Sequence, residues 1–221
     1  MADNNQLCMN CMSPMEGKTV CPVCGHSADE PQSANALACR TVLQNRYLVG
    51  KVKSCNSEGI TYIGYDTVLH APIELREFFP ATLCSRVSGG EILVNPGSEV
   101  TYDECLSYFL SCSREVAHVR DYPAITQLYD IFEENNTAYT VAEWAESITL
   151  KYFVERSGGT IGWNAARQLF MPVLSALSTI HSRGMNHLGI SPESLRIMQD
   201  GRMKLTEFCI PAVRMTGREL P

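Results

Sequence analysis

Apolar residues recur at helical spacing over two long stretches of the chain. From Tyr102 to Val119, the residues Leu106, Phe109, Leu110, Val116 and Val119 fall on one face of a helix. From Gly162 to Ser182, Ala166, Leu169, Phe170, Val173, Leu174, Leu177 and Ile180 predict a longer amphipathic helix with a buried stripe. Pro172 lies inside it and predicts a kink or a lost backbone bond. Leu150 to Glu155 reads as a short helix. Elsewhere the period is two. Ile60 to Asp66 alternates like a strand, and Gln127–Phe132 and Thr137–Glu143 flank the turn Glu133-Glu134-Asn135-Asn136 as a strand pair. Leu195 to Leu205 carries a short hairpin signal. Residues 81–99 read as loop with short strand character, punctuated by Gly89-Gly90 and Asn95-Pro96-Gly97. The class is α+β.

Composition narrows the reading. A chain of 221 residues, 45% hydrophobic and 19% charged, can bury a core and is globular rather than disordered. A net charge of −6 argues against non-specific nucleic-acid binding. No apolar run approaches the roughly 18–20 residues that a membrane helix needs. Met-Ala-Asp-Asn-Asn-Gln lacks the basic-then-apolar pattern of a secretory signal, so a cytoplasmic location is expected.

Four of the ten cysteines form two C-x-x-C pairs, Cys8/Cys11 and Cys21/Cys24, in residues 1–27. In a reducing compartment this spacing reads as a metal site rather than a disulfide framework. Four thiolates can close a tetrahedral structural zinc shell, with no open position for catalysis. Gly25, after the second pair, can take positive φ and turn backbone N–H groups toward sulfur. A redox pair, or His26 in place of one cysteine, are the competing readings. The motif resembles the short zinc ribbons at the N-terminus of many bacterial regulatory proteins. So short a unit lacks a core and is expected to fold only with metal. Residues 28–41 are small and polar and read as a linker that orders near Leu37.

From residue 42 onward a second resemblance appears. Leu43 to Gly50 is similar to the first strand of bacterial serine/threonine kinases, and Ile60 to Asp66 to the second. Pro72 to Pro80 resembles the third-strand V-A-I-K-E-Y-F-P of a bacterial kinase subgroup. Met185 to Leu195, followed by the Leu195–Leu205 hairpin and Glu207-Phe208-Cys209, resembles the catalytic loop and metal-binding turn of a eukaryotic-type protein kinase. The resemblance implies a bilobal fold: a five-stranded antiparallel small lobe with a regulatory helix over 42–145, and a partial helical large lobe over 146–221. Glu143-Trp144-Ala145 falls at the hinge between them. The family needs an activation segment and further helices beyond this point, so a missing C-terminal region and exposed apolar surface are expected.

Position by position, the resemblance implies that the chemistry is lost. Of the three glycines that bring backbone close over the triphosphate only Gly59 remains, with Ser54 and Asn56 at the others. The phosphate-facing third-strand Lys is Arg76, and its ion-pair partner on the regulatory helix is Cys112, with Glu115 three residues on. Where the family reads H-R-D-x-K-P-x-N, the chain keeps His187 and Pro192 but has Gly189, Ser191 and Ser194 for the Asp, Lys and Asn. Glu207 replaces the Asp of the metal-binding turn. The expected function is that of a pseudokinase, a regulatory or scaffolding module that binds protein partners, with structural zinc and without catalysis. The competing reading is a nucleotide-binding protein or atypical phosphotransferase that uses Arg76 and Glu207 to hold ATP and magnesium.

Overall fold

The computed structural model describes residues 6–119, 122–206 and 208. The chain divides into two compact units, Met1–Leu106 with Asp130–Trp144, and Ser107–Tyr129 with Ala145–Pro221.

The first unit is built on a sheet. β1 (Val42–Leu43), β2 (Tyr47–Cys55), β3 (Gly59–Asp66) and β4 (Ala71–Phe78) follow one another, and each pairs antiparallel with the next. A small hairpin of β5 (Cys84–Arg86) and β6 (Ile92–Val94) leads into α1 (Glu99–Ala117). β7 (Leu128–Glu134) and β8 (Thr137–Glu143) complete the sheet in the order β1-β2-β3-β4-β8-β7. The expected five strands are present, and β1 adds a sixth at the edge. Gln44 and Asn45, both in the left-handed region at φ 51° and 53°, turn the chain back so that Leu43 pairs with Tyr47.

Register decides which side chains share a face. Thr61 pairs with Arg76, Ile63 with Glu74, Tyr65 with Pro72, and Arg76 with Thr140, so these lie on one side of the sheet. Tyr62 pairs with Leu75 and Glu77 with Tyr139, on the other side. There the Glu77 carboxylate is fully buried. It accepts from Tyr62 Oη at 2.7 Å and Tyr139 Oη at 2.8 Å, and Arg86 Nη2 donates to it at 2.6 Å. Tyr62 Oη also accepts the Leu37 N–H at 3.0 Å, and Arg86 donates to the Asn35 and Gly90 carbonyls. Residues 28–41, expected as a linker, are thereby held on the sheet. Gln32 donates to Gly50 O, Lys51 Nζ to Glu30 O and Pro31 O, and Arg40 N to Val49 O.

The second unit contains β9 (Ser147–Thr149), α2 (Leu150–Arg156), α3 (Trp163–Ser182), β10 (Leu195–Met198) and β11 (Met203–Leu205), with the strands in the order β11-β10-β9. Thr149 Oγ1 accepts from Tyr152 N and caps α2. α3 is closed just past its end by Gly184, in the left-handed region at φ 76°. Its N–H reaches His181 O, and Met185 N–H reaches Ile180 O, the pairing of a Schellman close. Val173, Ala176 and Ile180 of α3 pack with Val116, Ile125, Leu150, Leu195, Ile197, Met203 and Leu205. The stripe is narrower than its periodicity predicts. Leu174 is 54% exposed, while Leu169, Phe170 and Leu177 are only partly buried. Trp163 and Met171 are exposed with it. Among the described residues no helix is long and apolar enough to cross a membrane.

Two stability outcomes follow. Glu77→Ala leaves a buried guanidinium and two buried hydroxyls without their shared acceptor, and is expected to cost about 3–5 kcal/mol; urea unfolding measures it, and a cost near zero contradicts the assignment. Asp66, buried and bound through both oxygens by Arg46, also accepts the Val68 and Leu69 N–H groups. Burial works against the charged form, but these donors outweigh it and hold the carboxyl below the usual carboxylate range. A folded value below the unfolded one means that this stability is present above about pH 4 and lost as pH falls through the folded value. Asp66→Asn is expected to lose about 1–3 kcal/mol near neutral pH and to flatten the acid limb of Tm against pH.

Candidate functional site

The two C-x-x-C turns meet. The Sγ atoms of Cys8, Cys11, Cys21 and Cys24 all lie within 4.8 Å of one another, with Cys8–Cys24 at 3.6 Å and Cys11–Cys21 at 3.7 Å. Thiolates around one tetrahedral ion at a metal–sulfur distance of about 2.3 Å stand about 3.8 Å apart, so the cluster can hold a metal ion. Each turn is closed by its own backbone: Met12 N–H to Cys8 O, and Gly25 N–H to Cys21 O with Gly25 at φ 72°. Asn10 supplies second contacts, its N–H to Cys8 Sγ and its Nδ2 to Cys24 Sγ. His26 is turned away to the Glu30 carboxylate at 2.8 Å. Burial pushes the Cys8 thiol up to about 12. At Cys24 burial also opposes ionisation, but the hydrogen bonds from His26 N–H, Asn10 and the neighbouring thiols outweigh it and bring the thiol down to about 6.

The cysteine ribbon is seated on the sheet. Register shifts in β2 between Val49 and Val52 release Lys51 N–H from the ladder, and it donates to Met9 O at 2.7 Å. A Cβ on Gly50 would stand 2.2 Å from the Met12 methyl and 2.5 Å from Met9 O, so only glycine admits this approach. Lys53 Nζ donates to Asn10 O at 2.7 Å and lies 5.6 Å from the Trp144 ring centre. Leu7, Met9 and Met12 pack with Leu48, Ile63 and Tyr65, with Trp144 and Cys39 alongside. Ile63 and Tyr65 belong to the same face of the sheet as Arg76.

Further along that face, the β2–β3 turn closes on itself. Asn56 Oδ1 accepts from Glu58 N and Gly59 N at 3.0 Å each, and Asn56 N donates to Gly59 O. Ser54 sits in β2 opposite Thr61. Gly59 is pressed against β4, where a Cβ would come within 2.2 Å of Glu77 O. The turn places Glu58 inward. Its carboxylate, 5% exposed, accepts from Arg76 Nη2 at 3.3 Å, and Arg76 is itself 8% exposed. Nothing in the local pattern marked Glu58; its partner lies across the strand pair.

In the second unit the segment 187–194 satisfies its own polar groups. His187, 1% exposed, places Nε2 2.8 Å from Thr206 O, while Nδ1 accepts the Gly189 N–H at 3.3 Å. Nε2 therefore carries the proton, and the ring braces the loop. It also meets the Phe208 ring at 4.6 Å. Ser194 Oγ accepts from Ser191 N and donates to Gly189 O, and Ser191 Oγ accepts from Ser194 N and Glu193 N. Leu188, between His187 and Gly189, takes φ 61° and is exposed. Cys112 is partly buried against this unit's core, and Glu115 is exposed. Glu207 lies outside the described residues.

Comparison with known proteins bears on this geometry. A model of the protein kinase domain family matches residues 110–218. A solved structure named "PpkA-294 apo form" superposes with a TM-score of 0.72 at 26% identity, over 79% of this chain and 62% of that one. The chain carries a protein-kinase-like domain. It is 28% identical over 177 residues to CBL-interacting protein kinase 22 of Oryza sativa subsp. japonica, covering 78% of this chain and 38% of that protein. It is 30% identical over 105 residues to serine/threonine-protein kinase RAD53 of Saccharomyces cerevisiae, covering 47% of this chain and 13% of that protein. The chain thus spans less than two thirds of each of these proteins. In the kinase-like domain β2, β3 and β4 carry Ser54, Gly59 and Arg76, Asn56 lies in the β2–β3 turn, and the 187–194 loop joins α3 to β10.

Proposed function

We propose that the chain is a catalytically inactive protein-kinase-like domain, a pseudokinase of bacterial type. It acts as a regulatory or scaffolding module that binds a protein partner in signalling, with structural zinc held by Cys8, Cys11, Cys21 and Cys24. The observation that carries the reading is the Arg76–Glu58 pair. Phosphoryl transfer is catalysed almost entirely by positioning and charge stabilisation, so a cation at the third-strand position must face the phosphates. Here Arg76 is drawn to Glu58, a buried carboxylate of the β2–β3 turn that would lie over the triphosphate, rather than to one on the regulatory helix, so a negative charge stands beside the place the phosphates would take. The turn that would lie over a triphosphate is instead locked by Asn56.

The large-lobe residues support the same conclusion. A general base needs a group that accepts a proton, and Gly189 has no side chain. Ser191 and Ser194 hydrogen-bond one another and the loop backbone rather than presenting a carboxylate, amide or ammonium. Among the described residues these positions offer neither a general base nor a carboxylate or amide for magnesium, and no transfer step is assigned to them. The cysteine set does fit zinc in number, donor softness and spacing. When bound, zinc supplies cross-linking of the two turns. The bacterial character rests on the likeness of Leu43–Gly50 and Pro72–Pro80 to bacterial kinases.

The test is a calorimetric and thermal-shift titration of the zinc-loaded chain with ATP, with and without magnesium. No saturable binding at millimolar nucleotide is expected. Magnesium-dependent binding that disappears in Arg76→Ala or Glu207→Ala would overturn the reading in favour of a nucleotide-binding protein or atypical phosphotransferase.

A further inference from the structure

Resting on the zinc reading above, we propose that the cysteine ribbon is a metal-dependent latch on the Arg76-bearing face of the sheet. With zinc bound it covers an apolar strip of that face, and on metal loss it lets go and uncovers the strip while the sheet stays folded.

The seat of the ribbon depends on the shape of one knuckle. Met9 O reaches Lys51 N–H, Asn10 O reaches Lys53 Nζ, and Met12 fills the space over Gly50. These three residues lie within or directly beside the Cys8–Cys11 turn, so their mutual placement is set by the cross-link between the two knuckles. The ribbon has little else to hold it in shape. Its own buried cluster consists of Cys8, Met15 and Cys21, with Cys11 beside them. A unit of this size keeps its fold through its metal. The ordering entropy of the knuckle, about 1–2 kcal/mol per residue, is otherwise opposed mainly by the contacts that the knuckle makes with the sheet.

The sheet, by contrast, does not need the ribbon to stay together. Its strands pair through β3 and β4, and its other face is fastened by Glu77, Tyr62, Tyr139 and Arg86, which the ribbon does not touch. Removing the ribbon leaves Leu48, Ile63 and Tyr65 on the sheet and Trp144 at the end of β8 without their cover. Trp144 is the reporter: it packs against this cluster and lies under Lys53, and the other tryptophan, Trp163, is exposed in the second unit.

The experiment uses the full chain with Trp163→Phe, so that emission comes from Trp144 alone. Zinc content is measured first, then the metal is withdrawn with a chelator and restored. Withdrawal is expected to shift Trp144 emission to the red and to speed deuterium uptake at Lys51 by at least about tenfold. Peptides of β3 and β4 should keep their protection, and zinc should reverse both changes. A zinc-loaded Gly50→Ala chain should show the red shift with one zinc still bound. Lys53→Met combined with Met12→Ser serves the same purpose if Gly50→Ala fails to fold, because Gly50 also approaches Ile63 O. A purified chain that holds no zinc overturns the zinc reading and the latch together. A chain that binds zinc but shows no change at Trp144 and Lys51 on withdrawal overturns the latch alone. So does withdrawal that strips protection from β3 and β4, which would make the ribbon a staple of the whole unit.

Discussion

A carboxylate without solvent organises the strand-rich unit. Glu77 sits in the central strand, and its charge is expensive to bury unless its acceptor sites are met. Two tyrosines and one arginine meet them, and each comes from a different element: Tyr62 from β3, Tyr139 from β8, Arg86 from β5. The geometry of one group therefore fixes the spacing of three strands. Arg86 and Tyr62 carry the effect outward, since each also binds backbone of residues 35–37. A segment that composition alone reads as linker becomes part of the unit because a buried charge needs those donors in place.

The same strand explains the state of Arg76. β4 lies between β3 and β8, with packing on both sides, so neighbouring residues Arg76 and Glu77 are both buried although they point to opposite faces. A central strand in that position has no solvent side on which to park a charge. Each charged residue must find a partner of opposite sign within reach. Glu77 finds Arg86 and Arg76 finds Glu58. The pair at Arg76 is thus a folding requirement first. Its effect on anion binding is a consequence, because the Glu58 carboxylate brought beside Arg76 would repel a phosphate placed there.

What was legible in the sequence and what was not divides along the range of the signal. The four cysteines read clearly because two C-x-x-C turns are local objects, and their meeting needs only a short return of chain. The close of α3 at Gly184 is equally local, since its backbone partners lie within five residues. The order of strands came from a resemblance over several blocks rather than from periodicity. Glu58, Gly50 and Lys51 were not legible. Glu58 matters only because β3 and β4 pair in the register that sets it beside Arg76, and Gly50 only because a bulge frees Lys51. Leu174 shows the other kind of failure. Helical spacing says which residues share a face, but the width of the covered stripe depends on what packs there, and in this chain it stops at Val173, Ala176 and Ile180.

β3 brings these strands of argument together. It is buried at every one of its positions, so alternation of side chains does not translate into alternation of exposure. One side is closed by the Glu77 network. The other is closed by Leu7, Met9 and Met12 of the ribbon. A ribbon with almost no core of its own thus completes the core of a sheet that has its charge network elsewhere. The two faces are held by different means, polar bonds on one and a metal-shaped apolar cover on the other. Those means respond to different conditions. The Glu77 side depends on a carboxylate satisfied within the protein, and the ribbon side on a set of thiolates whose geometry an external ion imposes. That asymmetry allows one face of the sheet to change while the other keeps its strand spacing.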